Sequence, residues 1–179
     1  MQVSRYHPLL VTLHWLLALL IIGALTVGFW LASTPNADPE KIGVLRLHMS
    51  VGMLILALMV VRFGVRTLTS RPPPATTGSP LLDRIAPITH YGFYVLVVLM
   101  VVSGYATGVL AGLPAIVFGH SGAPLPADFM VYPTFLAHGA IALLLVGAIL
   151  LHVLAAIYHQ YVRKDGLFKR MALGSRARE

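Results

Sequence analysis

The 179-residue chain contains no cysteine, which excludes disulfides, thiolate-bound zinc, iron-sulfur clusters and the C-x-x-C-H attachment of c-type haem. Any haem must therefore be held without covalent thioethers. Oxygen ligands are scarce too, since there are only six Asp and Glu residues. With 11% charged residues, 58% hydrophobic residues and a mean hydropathy of +0.83, the chain reads as a membrane protein. Arg163, Lys164, Lys169, Arg170, Arg176 and Arg178 crowd the C-terminal segment. No aromatic platform or base-reading motif accompanies them, so they read as a topology signal and not as a nucleic-acid site.

The apolar runs predict an all-α, integral membrane four-helix bundle forming one domain over residues 1–179. Its spans cover about residues 9–32, 44–66, 88–110 and 134–161, each long enough to cross a hydrocarbon core about 30 Å thick. The first run is too long for a signal-peptide core. Trp15 and Trp30 lie towards its two ends like an interfacial belt, although Trp15 could equally pack on a cofactor. Residues 69–87, with three consecutive prolines, read as a semi-rigid surface linker, and residues 111–132 as a loop lying along the interface. Arg5, the group Arg62, Arg66, Arg71 and Arg84, and the basic tail fall on one side, against Lys41 and Arg46 on the other. The positive-inside rule then places both termini in the cytoplasm.

Five histidines, His14, His48, His90, His138 and His152, lie within these apolar runs, where a polar ring is costly unless it pairs or binds something. His138 and His152 are fourteen residues apart, which returns them to nearly one helix face about 21 Å apart along the axis. Two imidazoles pointing the same way from opposite halves of a membrane suit two stacked metal centres.

Depth selects their partners. With alternating span directions, His48 and His138 both lie in the outer half and can share one iron, while His14 and His152 match for an inner one. His90 and His159 lie a few residues from the cytoplasmic interface and suit proton exchange better than a sequestered metal. Small residues one turn away, Ala18, Gly52, Ala142 and Ala148, would let a flat porphyrin approach each backbone, although such residues also serve ordinary helix packing. Zinc would want more ligands converging at one depth. Bis-imidazole haem fills both axial positions and favours electron transfer over oxygen chemistry. Arg62, fourteen residues after His48, could neutralise a haem propionate or could snorkel at the membrane edge. His7 and His120 read as surface residues.

The stretches LHWLLALLII, RLHMSVGMLILALMVVRFGVR, HYGFYVLVVLMVVSGY and AHGAIALLLVGAILLHVLAAIYHQYVRKDGLFKRM together resemble the bacterial di-haem cytochrome b561 family, related to the b-type subunits of nickel-iron hydrogenases. The resemblance covers essentially the whole chain. It implies two haem b groups on His14, His48, His138 and His152, a quinone partner in the bacterial inner membrane, and quinone and proton handling at His159 and His90. In one type within the family, superoxide donates electrons on the outer side and ubiquinone collects them. The outer loops depart from an anion-attracting surface, since Lys41 and Arg46 stand against Asp38, Glu40 and Asp128. The alternative expectation is therefore an electron-transfer subunit docking a hydrogenase or another dehydrogenase as its redox partner.

Overall fold

The computed structural model describes residues 4–73 and 80–174, in helices and turns. Part of the proline-rich linker, Arg176 and Arg178 lie outside the described residues. Four long helices follow one another: α1 (Pro8–Ser33), α2 (Lys41–Leu68), α3 (Pro80–Leu110) and α4 (Pro133–Tyr158). Each contains a stretch long and apolar enough to cross a membrane. Proline sits in the first turn of α1 and of α4, where its missing N–H has no intrahelical acceptor to lose.

The helices pack α1 on α2, α2 on α3 and α3 on α4, and His14 against His152 joins α1 to α4. One apolar layer, Leu17, Ile55, Met59, Val97 and Leu145, draws on all four helices. Outside it the surface remains apolar: Leu19, Leu143 and Leu151 are each more than 60% exposed. In water such a surface would be a liability, and in lipid it is the solvated face.

The first and last described segments gather at one end of the bundle, called here the terminal end. A short helix, α5 (Leu167–Arg170), follows a π-helical turn at His159–Arg163 and folds back beneath α1. The Tyr6 N–H donates to the Arg170 carbonyl (3.2 Å) and the Trp15 indole N–H to the Met171 carbonyl (3.0 Å). Arg170 in turn donates to the Pro73 carbonyl (2.7 Å), so this strap ties both ends of the chain to the α2–α3 connection.

The observed elements correct the sequence expectation in two places. Helix α3 begins at Pro80 and carries Pro87 inside it, so part of the expected 69–87 linker is helical. Pro87 lies near enough to the helix start that one lost hydrogen bond does not end it. Residues 111–132 do not simply lie along an interface. A π-helical turn at Pro114–Phe118 and the following loop bury Ala111, Leu113, Val117 and Leu125 against Ile42, Leu45 and Met49 of α2. This plug closes the opposite end, called here the loop end. The fourth span agrees with expectation, running over Pro133–Arg163 with a π-helical turn from His159, and the chain reverses after it at Lys164 and Gly166, both left-handed.

Candidate functional site

Two pairs of imidazoles face each other across the bundle, one on either side of the central apolar layer. Towards the loop end, the His48 and His138 ring centres are 6.3 Å apart with planes at 78°. Towards the terminal end, His14 and His152 are 6.2 Å apart at 70°. A first-row metal bonds an imidazole nitrogen at about 2.0 Å, and the ring centre lies roughly 1.1 Å behind that nitrogen, so rings on opposite faces of one iron stand about 6.2 Å apart. Both separations fit an iron held between two histidines. Among the described residues no three His, Cys, Asp or Glu side chains converge as a bare metal ion would require.

The loop-end pair shows how the chain prepares such a ligand. The Nδ1 of His138 lies 2.9 Å from the Met100 carbonyl and 3.2 Å from the Ser103 hydroxyl oxygen. A carbonyl has no proton to give, so Nδ1–H is the donor and Nε2 keeps its lone pair for a metal. The Nδ1 of His48 is buried and makes no well-formed hydrogen bond. Both rings lie along a cavity of about 1030 Å³, which Gly52, Gly139 and Ala142 also line. A Cβ added at Gly52 or Gly139 would meet nothing within 4 Å, so the walls beside both histidines border open space. These residues fit a large flat ligand such as haem b.

Two glycines that sequence reading passed over make room for the rings themselves. A Cβ on Gly28 of α1 would stand 3.2 Å from His48 Cε1, and one on Gly104 of α3 would stand 2.8 Å from His138 Cε1. A signal for them exists. Gly28 follows His14 by fourteen residues and Gly104 follows His90 by fourteen, the interval that also separates His48 from Arg62 and His138 from His152. Each span therefore contributes one residue at each of two levels.

At the terminal-end level the four residues are His14, Arg62, His90 and His152. Arg62 is half-buried and donates through Nη1 to the Leu10 carbonyl (2.8 Å). It is held among these helices and does not snorkel freely. His90 is deeper than expected: its ring centre lies 5.8 Å from that of His152, and the Phe93 ring stands 5.5 Å from the same His152 ring. The cause is the early start of α3, which places ten residues of helix ahead of it. Trp15 meets the edge of the His14 ring at 5.1 Å while its indole N–H holds the strap. His7 caps α1, accepting from the Leu9 N–H (3.3 Å), and His120 is exposed.

His159 stands apart from that level, in the π-helical turn, where its Nδ1 pairs with the Asp165 carboxylate. Asp165 also accepts from the Leu167 N–H (3.1 Å). Burial works against its charge, but the hydrogen bonds from His159 and Leu167 outweigh that and hold the carboxyl below its ordinary value. A carboxylate with a lowered folded-state value stabilises the strap at all pH above the ordinary range, and the contribution is lost as pH falls through the lowered value. In a Trp30→Phe background, Trp15 fluorescence is therefore expected to hold from neutral pH to about pH 4 and to change only below it. A transition near pH 6 would instead assign control of the strap to a histidine.

Residues 5–174 match the family described as prokaryotic cytochrome b561. The chain belongs to that family. Its members are electron-transfer membrane proteins that bind haem b. The chain is 29% identical to cytochrome b561 homolog 2 of Escherichia coli (strain K12), over 94% of this chain and 91% of that one. It is 30% identical to the probable superoxide oxidase CybB of Yersinia pestis, over 94% and 96%. It is 32% identical to a cytochrome b562 of Cereibacter sphaeroides, over 95% and 96%. As for a cytochrome b561, the chemistry of the two histidine pairs and the open space beside the loop-end one agree with haem binding.

Proposed function

We propose that this cytochrome b561 is an inner-membrane oxidoreductase that takes single electrons from a donor at the loop end and delivers them to ubiquinone at the terminal end. The carrying observation is the pair of imidazole couples, 6.3 and 6.2 Å apart, on either side of one apolar layer. In this reading His48 and His138 hold one haem b, and His14 and His152 hold a second. Each haem, when bound, supplies reversible one-electron chemistry, so two of them match a one-electron donor to a two-electron acceptor.

The chain's own residues set the rest. A haem held by a histidine pair would have no coordination position left for O₂, which would favour electron transfer over oxygen chemistry. The Met100 carbonyl fixes the His138 tautomer, and Arg62 supplies a positive charge at the terminal-end level. The Lys and Arg distribution supports a cytoplasmic terminal end, and in this reading the strap is the cytoplasmic face and the plug the outer one. His159, oriented by Asp165, would donate protons to a reduced quinone, with His90 closer to the buried pair.

Superoxide is the proposed donor, supported by the name of the Yersinia pestis relative. Two superoxide ions give up two electrons and become two O₂, and one ubiquinone takes those electrons with two protons to become ubiquinol. Arg46 donates to the Val117 carbonyl (2.7 Å) and Lys41 is buried, so attraction of an anion from solution to the loop-end surface is modest. Purified protein mixed with superoxide and ubiquinone is expected to form ubiquinol in step with superoxide loss. Superoxide loss without ubiquinol would overturn the reading, and co-purification with a dehydrogenase that alone reduces the haems would assign the subunit role instead.

A further inference from the structure

One stripe of α2 runs Lys41, His48, Ile55, Arg62, at intervals of seven residues. Seven residues at about 100° each return almost to the same face some 10 Å further along. His48 faces His138, Ile55 sits in the central layer and Arg62 reaches the terminal-end level. Lys41 closes the stripe at the loop end. It is only 5% exposed and lines the same cavity as His48 and His138.

A buried ammonium is costly unless hydrogen-bonded and paired with an anion. The Lys41 Nζ donates to the Thr34 carbonyl and to the Asn36 side-chain oxygen (2.7 Å), both neutral acceptors. The third of its three N–H donors is left for another partner. Asp38 acts on it through space without an ion-pair contact, and one Asp38 oxygen accepts from the Glu40 N–H (2.8 Å). Asp128, the acid that also lines the cavity, accepts from the Met130 N–H (2.7 Å). Asn36 is itself fixed, donating to the carbonyls of Pro126 (2.7 Å) and Ala127 (3.2 Å). The ammonium is thus held in place by loops from two connections, beside a cavity with room for an anion.

We infer that Lys41 is the counter-ion of a carboxylate of the loop-end haem, seven residues before His48 on the same stripe of α2. The inference rests on the reading of His48 and His138 as haem ligands. A fixed cation beside a haem favours the reduced state, which carries one more electron, and so raises that haem's midpoint potential. Lys41 is in this sense a positioning and tuning residue.

The test is a spectroelectrochemical titration that resolves the two haems of the holoprotein. Lys41→Met is expected to lower the loop-end midpoint and leave the terminal-end one in place, while Lys41→Arg keeps both. Asn36→Ala, which loosens the loop but retains the cation, is expected to lower thermal stability more than potential. Unchanged midpoints in Lys41→Met, or equal falls in Lys41→Met and Asn36→Ala, would overturn the assignment. Should Lys41→Met not accumulate, unaltered protein reconstituted with the dimethyl ester of haem b decides the matter. The ester should leave the loop-end site about tenfold faster than haem b, the loss of one charge-assisted contact, and equal rates would overturn it. Failure of the ligand reading itself is separable, since full haem content would then survive His138→Ala.

Discussion

His48→Ala and His138→Ala are each expected to yield protein with one haem b in place of two, and His14→Ala and His152→Ala to lose the other. The physical ground is the separation of the two pairs. Leu145 stands seven residues from both His138 and His152, so each pair is about 10 Å along α4 from the central layer. That layer, with Leu17, Ile55, Met59 and Val97 alongside Leu145, stands between the two histidine pairs and draws on all four helices. Removing one imidazole leaves a half-buried site without its axial nitrogen but does not reach the other. Haem per polypeptide after extraction, with the visible band of the remaining haem, reads the outcome. Unchanged haem content, or loss of both haems in all four variants, would refute the pairing.

The second large effect comes from a residue with no side chain. Gly104→Ala puts a methyl carbon 2.8 Å from His138 Cε1 and 3.1 Å from its Nδ1. The ring has little freedom to retreat, because the Met100 carbonyl and Ser103 hydroxyl hold Nδ1 from the same helix, α3. Overpacking of this kind costs about 1–3 kcal/mol, and here the strain falls on the ring proposed as a haem ligand, whose placement must be good to a few tenths of an ångström. Loss of the loop-end haem is expected, matching His138→Ala. Gly28→Ala, with a 3.2 Å approach to His48, should weaken the same haem less. Gly23→Ala meets nothing within 4 Å and should be silent. Equal haem content in the Gly104 and Gly23 variants would show that the close approach is relieved elsewhere.

Much of the fold is legible in the chain because a bilayer leaves few choices. Backbone groups in hydrocarbon must be satisfied within the segment, so four long apolar runs mean four helices. Their approximate limits follow from where Pro, Asn and charge interrupt the apolar pattern. The α3 start was not legible, since Pro87 and the preceding proline run look like a stop. The π-helical turn and buried plug between α3 and α4 were equally hidden, because their burial comes from contact with α2, far away in sequence.

The site divides in the same way. The fourteen-residue spacing of His138 and His152 follows from helix geometry alone, and matching of depths between antiparallel spans carries His48 and His14 to them. Depth is a one-dimensional quantity, however. It does not say which neighbouring helix faces a given ring, and so it passed over Gly28, Gly104, the Met100 carbonyl and the loops that hold Lys41. By itself the sequence determined a cysteine-free membrane bundle with two levels of buried histidine. Tertiary structure alone decided which backbones make room for the rings, which nitrogen of His138 stays free, and that His90 lies against His152, since each depends on the rotation and register of helices packed side by side.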